Sequence, residues 1–218
     1  MYSARFSHLP SKRLNLETSI VRVAAQFMLS ALDASHFPKP GPPEVAFLGR
    51  SNVGKSSLIN SLLGEKLAKT SSTPGRTRAI NFFAVRRAGR SAAELLFADL
   101  PGYGYAKLSK EISAEWPKFI EPYLEQRDTL ALSIVLVDTN VPPQEKDKHL
   151  VEWLKFHHRP FVVVGTKADR VSNNVLSNSV RALKQAFGIE TILPYSTKTG
   201  AGRNELWREI GGRCGMSE

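Results

Sequence analysis

With 218 residues, 42% hydrophobic and 23% charged, the chain can bury a sizeable core and has the make-up of an ordinary globular domain. It has no run of roughly eighteen apolar residues, which argues against a membrane-spanning helix, and its single cysteine, Cys214, rules out an internal disulfide and fits a reducing, cytoplasmic setting. An excess of 30 Lys+Arg over 20 Asp+Glu gives a net charge of +10. That charge suits a polyanionic partner such as RNA or a ribonucleoprotein better than a membrane surface, for which no strongly basic amphipathic helix is evident.

Residues 1–16 carry Arg5, Lys12 and Arg13 and no acidic residue. They read as an extension rather than a targeting segment. Ile20, Val23, Ala24, Phe27, Met28 and Leu32 follow at helix-like spacing, predicting a helix or a loosely packed segment over 17–34. The proline-rich run Phe37–Pro43 must be extended. Residues 1–42 are therefore expected to be a partly ordered N-terminal extension, 43–212 a single nucleotide-binding domain, and 213–218 a tail.

The apolar run Glu44–Leu48 predicts a buried strand. It leads into Gly49, Arg50, Ser51, Asn52, Val53, Gly54, Lys55 and Ser56, the G-x-x-x-x-G-K-S pattern of a phosphate-cradling loop. Ser57, Leu58, Ile59, Leu62 and Leu63 then continue with helical periodicity. Strand, glycine loop and helix together turn backbone N–H groups onto phosphates at the positive end of a helix. In that setting Lys55 reaches the β- and γ-phosphates and the Ser56 hydroxyl holds magnesium.

Lys69–Arg78 is polar and turn-rich. It reads either as a solvated connector or as a switch loop bringing a hydroxyl to magnesium and the γ-phosphate. Several hydroxyls there could serve, and residue chemistry alone does not choose Thr77. Ile80–Val85 and Glu94–Ala98 predict a hairpin. The second strand ends in Asp99, Leu100, Pro101 and Gly102, an Asp-x-x-Gly turn in which Asp99 orders magnesium through water and the Gly102 N–H approaches the γ-phosphate. Glu111–Gln126 predicts an interrupted helix with Trp116, Phe119, Ile120 and Tyr123 as core residues.

Leu130–Val137 reads as a central parallel strand and Gln144–His158 as a helix. His149, His157 and His158 lack partners at metal-ligand spacing and are assigned to the surface. The strand Phe161–Gly165 delivers Thr166, Lys167, Ala168 and Asp169. A carboxylate there can accept from the N1–H and 2-amino group of guanine; adenine offers no such pair. Ser172–Phe187 is a helix capped by Ser172. Thr191–Leu193 is a short strand, and Ser196, Thr197 and Lys198 are placed to meet guanine O6. Arg203–Gly212 closes the chain as a helix.

All of these motifs fall at predicted strand ends, so the expected fold is α/β: a mostly parallel six-stranded sheet with helices on both faces. In their order they resemble the Ras-like P-loop GTPases over about residues 43–212. Gly49–Asn60, Thr73–Thr77 and Asp99–Lys107 are more specifically similar to the EngB/YihA/YsxC family of bacterial GTPases, within the TrmE-Era-EngA-EngB-septin group. Asn140 stands where that pattern has an arginine.

The resemblance implies GTP binding and slow hydrolysis to GDP by a switch protein, expected to be a monomer. It implies a role in assembly of the large ribosomal subunit, with rRNA and ribosomal proteins as partners, and a link to normal cell division and septation. It also selects Thr77 as the switch magnesium ligand, with Gly75, Arg76, Arg78 and Ala79 beside the nucleotide and Lys55, Thr77 and Gly102 as the catalytic set. Tyr103 occupies the position at which Ras-type enzymes orient water with glutamine. A second element must then complete the site, and Asn52 is the candidate potassium ligand. The competing readings are a P-loop ATPase or kinase, against which Asp169 argues, and a nucleotide-responsive septum adaptor without ribosome binding.

Overall fold

The computed structural model describes residues 22–68, 79–103 and 120–216. Its centre is β2 (Glu44–Gly49), buried along its whole length. It pairs in parallel with β4 (Leu95–Asp99) on one side and β5 (Leu130–Asp138) on the other. β6 (Phe161–Thr166) and the two-residue β7 (Leu193–Pro194) extend the parallel part beyond β5. On the far side β3 (Ile80–Arg87) pairs antiparallel with β4, forming the expected hairpin. The Arg87 guanidinium and backbone N–H both bond Glu94 across the hairpin's turn, and this pairing holds the Glu94 carboxyl below its usual range.

The sheet has seven strands rather than the expected six, in the order β1-β3-β4-β2-β5-β6-β7. The added strand is β1 (Val23–Ala31), antiparallel to β3. This corrects the helix or loosely packed segment expected there: Val23, Ala25, Phe27, Leu29 and Ala31 also alternate, and pairing with β3 makes the segment a strand. The register shifts at Met28, with Phe27 opposite Phe83 and Leu29 opposite Phe82. An extra residue flips the alternation. Val23 and Ala25 therefore pack on one face of the sheet, and Leu29 and Ala31 on the other. The same stretch also carries Ala24 and Met28, which with Ile20, Val23 and Phe27 fill the i, i+3, i+4, i+7 spacing of a helical face.

The two faces carry separate cores. One holds α1 (Lys55–Leu63) and α5 (Arg203–Cys214), through Leu58, Ile59, Leu62, Leu206, Trp207 and Ile210. The other holds α2 (residues 120–126), α3 (Glu145–Phe156) and α4 (Asn173–Phe187). The Ser172 side chain accepts from the Val175 N–H and caps α4, as expected. At the sheet end remote from the P-loop, Glu44 is fully buried. Its carboxylate accepts from Tyr123 Oη (2.8 Å), Thr129 Oγ1 (2.7 Å) and Arg127 Nε and Nη2 (2.9 and 2.6 Å). Phe37, from the proline-rich segment, packs edge-on against Phe82 and Tyr123.

Candidate nucleotide site

The loop between β2 and α1 takes the backbone shape that its glycines and asparagine allow. Asn52 (φ 65°) and Gly54 (φ 106°) are left-handed, and α1 begins at Lys55. A residue other than glycine at 54 would be strained there. Lys55 Nζ donates to Asp99 Oδ1 at the end of β4. This joins two of the expected phosphate- and magnesium-site residues directly. Ser56 and Ser57 lie in the first turn of α1.

Past Asp99 the chain turns through Leu100, Pro101 and Gly102 and comes back onto the P-loop. Tyr103 N–H donates to the Gly49 carbonyl (3.3 Å), and Ser51 N–H donates to the Tyr103 carbonyl (3.2 Å). Gly102 is packed so closely that a Cβ there would stand 3.1 Å from the backbone N and the Oγ of Ser51. Ala79 immediately precedes β3. Gly75, Arg76, Thr77 and Arg78 lie outside the described residues, as do Tyr105, Trp116 and Phe119.

The end of β6 is tied to the P-loop by side chains. Thr166 Oγ1 donates to the Val53 carbonyl (2.7 Å), and Lys167 Nζ to the Asn52 carbonyl (3.0 Å). Lys167 also pairs with Asp138 at 2.6 Å. Burial pushes the Asp138 carboxyl up, but hydrogen bonds from Lys167 and Asn140 outweigh that and hold it below its ordinary value. Asn140 additionally bonds the Lys167 carbonyl at 3.3 Å. Asp169 accepts from Ser196 Oγ at 2.7 Å, which lowers its pKa. Within the same loop, Lys198 N–H bonds Ser196 Oγ and Ser196 N–H bonds the Ala201 carbonyl. Lys167, Asp169, Arg170, Thr197 and Lys198 line an open cavity of about 490 Å³. Two further contacts join this end to α1: Tyr195 Oη with Ser61 Oγ (2.9 Å), and Arg203 with the Ser61 and Leu62 carbonyls (2.9 and 2.8 Å).

The arrangement thus brings the P-loop, the Asp-x-x-Gly turn and the Asp169 cavity to one edge of the sheet. Comparison with known proteins decides the family. The family model described as "50S ribosome-binding GTPase" matches residues 44–167, more than half the chain. A probable GTP-binding protein EngB from Koribacter versatilis is 60% identical over 190 residues, covering 87% of this chain and 94% of its own. The chain belongs to the EngB family of GTPases.

A second EngB relative, from Acidobacterium capsulatum, is 59% identical over 191 residues, covering 87% of this chain and 90% of that protein. A crystal structure of a probable EngB superposes with a TM-score of 0.65 at 25% identity, over 80% of this chain and all of that one. Aquifex aeolicus Era bound to GDP.AlF4- gives 0.66 at 25% identity, over 80% of this chain and 57% of that one. The fold is therefore the single Ras-like domain expected, and the protein hydrolyses GTP.

Reading the sequence of this EngB protein missed two residues of the site. Asp147, on α3, bonds both Arg50 and Tyr103. Asp138 holds Lys167. Asp147 had a visible signal: it lies three, four and seven residues before Leu150, Val151 and Leu154, on the apolar stripe of its helix. A carboxylate on such a stripe needs a partner.

Proposed function

We propose that this GTPase is a switch that acts on the large ribosomal subunit or its precursor during assembly, and through that role supports normal septation. The single observation that carries the nucleotide reading is the tie between β6 and the P-loop, through Thr166 to Val53 and Lys167 to Asn52. It puts the Asp169 carboxylate and the phosphate loop in one body. Asp169 then reads guanine N1–H and the 2-amino group, with Ala168, Thr197 and Lys198 around the base. The Gly49–Ser57 loop wraps the phosphates, and Lys55 takes the β- and γ-phosphates.

The magnesium reading fits the donor set. Ser56 and Asp99 offer hard oxygen ligands beside Lys55, as an octahedral divalent cation requires. Ser56 would bind directly and Asp99 through water, with Thr77 completing the set. When bound, the ion neutralises charge developing on the phosphates. Lys55 adds positive charge at the same oxygens, and the Gly102 N–H orients the terminal phosphate. Asn52 is the proposed potassium ligand.

The ribosomal reading is supported by the family model's description and by the net charge of +10. A structural neighbour, Era, was solved with MgGDPNP and nucleotides 1506–1542 of 16S ribosomal RNA (TM-score 0.65). No described helix is long and apolar enough to cross a membrane. We place the protein in the cytoplasm, acting as a monomer.

Titration with GDP, GTP and ATP on wild type and Asp169→Asn tests the base assignment. Tight guanine binding that the substitution weakens, with no ATP binding, supports it. ATP binding, or an Asp169→Asn protein that binds like wild type, overturns it. Cosedimentation with large subunits in GTP and GDP tests the partner: nucleotide-dependent pelleting supports it, and none in either state removes it.

A further inference from the structure

Asp147 stands in the first turn of α3, only 2% exposed. Arg50 Nε donates to its Oδ2 (3.2 Å) and Tyr103 Oη to its Oδ1 (3.0 Å). Both partners belong to the nucleotide loops: Arg50 follows Gly49, and Tyr103 follows Gly102. The same two residues also face each other as an isolated parallel bridge. Tyr103 is thereby held twice, by its backbone on the P-loop and by its phenol on α3. Gly102 is left pressed against Ser51, where a Cβ would meet the Ser51 backbone and hydroxyl at 3.1 Å.

A bland explanation is available, because an acid in a first turn is favoured by the helix dipole. Glu145 already supplies that charge from the exposed side of the same turn. Asp147 sits instead on the buried face, where desolvation raises its pKa against the opposing pull of Arg50 and Tyr103. Burying a carboxylate is costly unless partners offset it, and an apolar residue there would serve packing better.

We propose that Asp147 is a positioning residue for GTP: by anchoring Tyr103 it fixes the Gly102 amide over the P-loop where the third phosphate ends. It thereby weights binding toward GTP over GDP. The inference rests on the reading of Gly102 as the γ-phosphate contact. It also explains why Tyr103 can occupy the position after Gly102, since its side chain is committed to α3 and its backbone does the holding.

The test is equilibrium titration of the full chain, with magnesium, against GDP and a non-hydrolysable GTP analogue. The variants are Asp147→Asn, Tyr103→Phe and Gly102→Ala. Asp147→Asn and Tyr103→Phe are expected to bind the analogue about tenfold more weakly, a shift in the range of one lost hydrogen bond to a charged group, with GDP within about twofold of wild type. Tyr103→Phe keeps the ring and the backbone, so it decides the matter if Asp147→Asn does not fold. Parallel losses for GDP and the analogue would mean a merely structural role and overturn the proposal; so would no change in either. Gly102→Ala separates the layers. If it weakens the analogue while Tyr103→Phe does not, the γ-phosphate reading stands and Asp147 loses its role. If Gly102→Ala leaves the analogue unaffected, the reading of Gly102 falls and takes the proposal with it.

Discussion

The Lys167 ammonium donates to the backbone carbonyl of Asn52, 115 residues earlier in the chain, at 3.0 Å. The loop expected to grip the base thus supports the loop expected to grip the phosphates. Removing the ammonium should loosen both. Lys167→Ala is expected to weaken GDP and GTP alike, by about tenfold, as for one charge-assisted hydrogen bond. The equal loss contrasts with the GTP-selective loss expected for Asp147→Asn, and one set of titrations reads both. A Lys167→Ala protein that lost only GTP would contradict the bracing role.

The Lys167–Asp138 pair also sets a pH dependence. The native Asp138 carboxyl is held below its ordinary value by Lys167 and Asn140. A depressed carboxyl adds stability that is complete above its unfolded pKa, about 3.9, and lost as pH falls through the lower native value. Asp147 has the opposite sign. Its raised native pKa gives a contribution complete below the ordinary value and lost as pH rises through the native one. Denaturant unfolding at stepped pH should therefore show wild type losing stability relative to Asp138→Asn below about pH 4. A pH-independent difference between the two would refute the assignment.

The buried Glu44 cluster predicts a large stability effect far from the nucleotide. Four donors converge on that carboxylate, two of them from Arg127, whose side chain is 12% exposed. Glu44→Gln leaves the guanidinium buried without its counter-charge, which costs about 3 kcal/mol. Calorimetry should show a fall of roughly 10 °C in Tm for a domain of this size. A shift within 2 °C of wild type, on the order of the error for a surface substitution, would show that the cluster relaxes instead.

Potassium dependence is the sharpest check on Asn52. Hydrolysis in potassium should exceed that in sodium several-fold, and Asn52→Ala should bring both to the slower rate. Equal rates in all four conditions would eliminate the ion and turn attention to Arg76 or Arg78.

Burial pushes the Cys214 thiol up to about 11. At pH 7.5 it is almost entirely protonated, and the thiolate is the nucleophile. Alkylation by iodoacetamide should be at least about tenfold slower in folded than in denatured protein. Equal rates would place Cys214 in solvent.

Most of the candidate site's described framework was legible in the sequence because each motif makes demands inside a short window. Gly54 must turn left-handed, Lys55 must open a helix, and Asp99 must end a buried strand; each demand has its own residue pattern. What escaped depended on partners distant in the chain. Asp147 meets Arg50 and Tyr103, 97 and 44 residues away. Only its place on an apolar stripe hinted at them. β1 escaped for a different reason: Ala24 and Met28, beside Val23 and Phe27, also fill a helical spacing, and only the pairing with β3, about 50 or more residues away, decides for the strand.

The contacts of Ser61 and Leu62 with Tyr195 and Arg203 carry a last consequence. They bolt the far end of α1, which opens at the P-loop, to the loop expected to surround the base. The distance between the two grips is then a built-in gauge, set by the fold before any nucleotide arrives. A ligand must match that span from ring to phosphate, so added bulk or length between base and diphosphate should be rejected even when both ends are chemically correct.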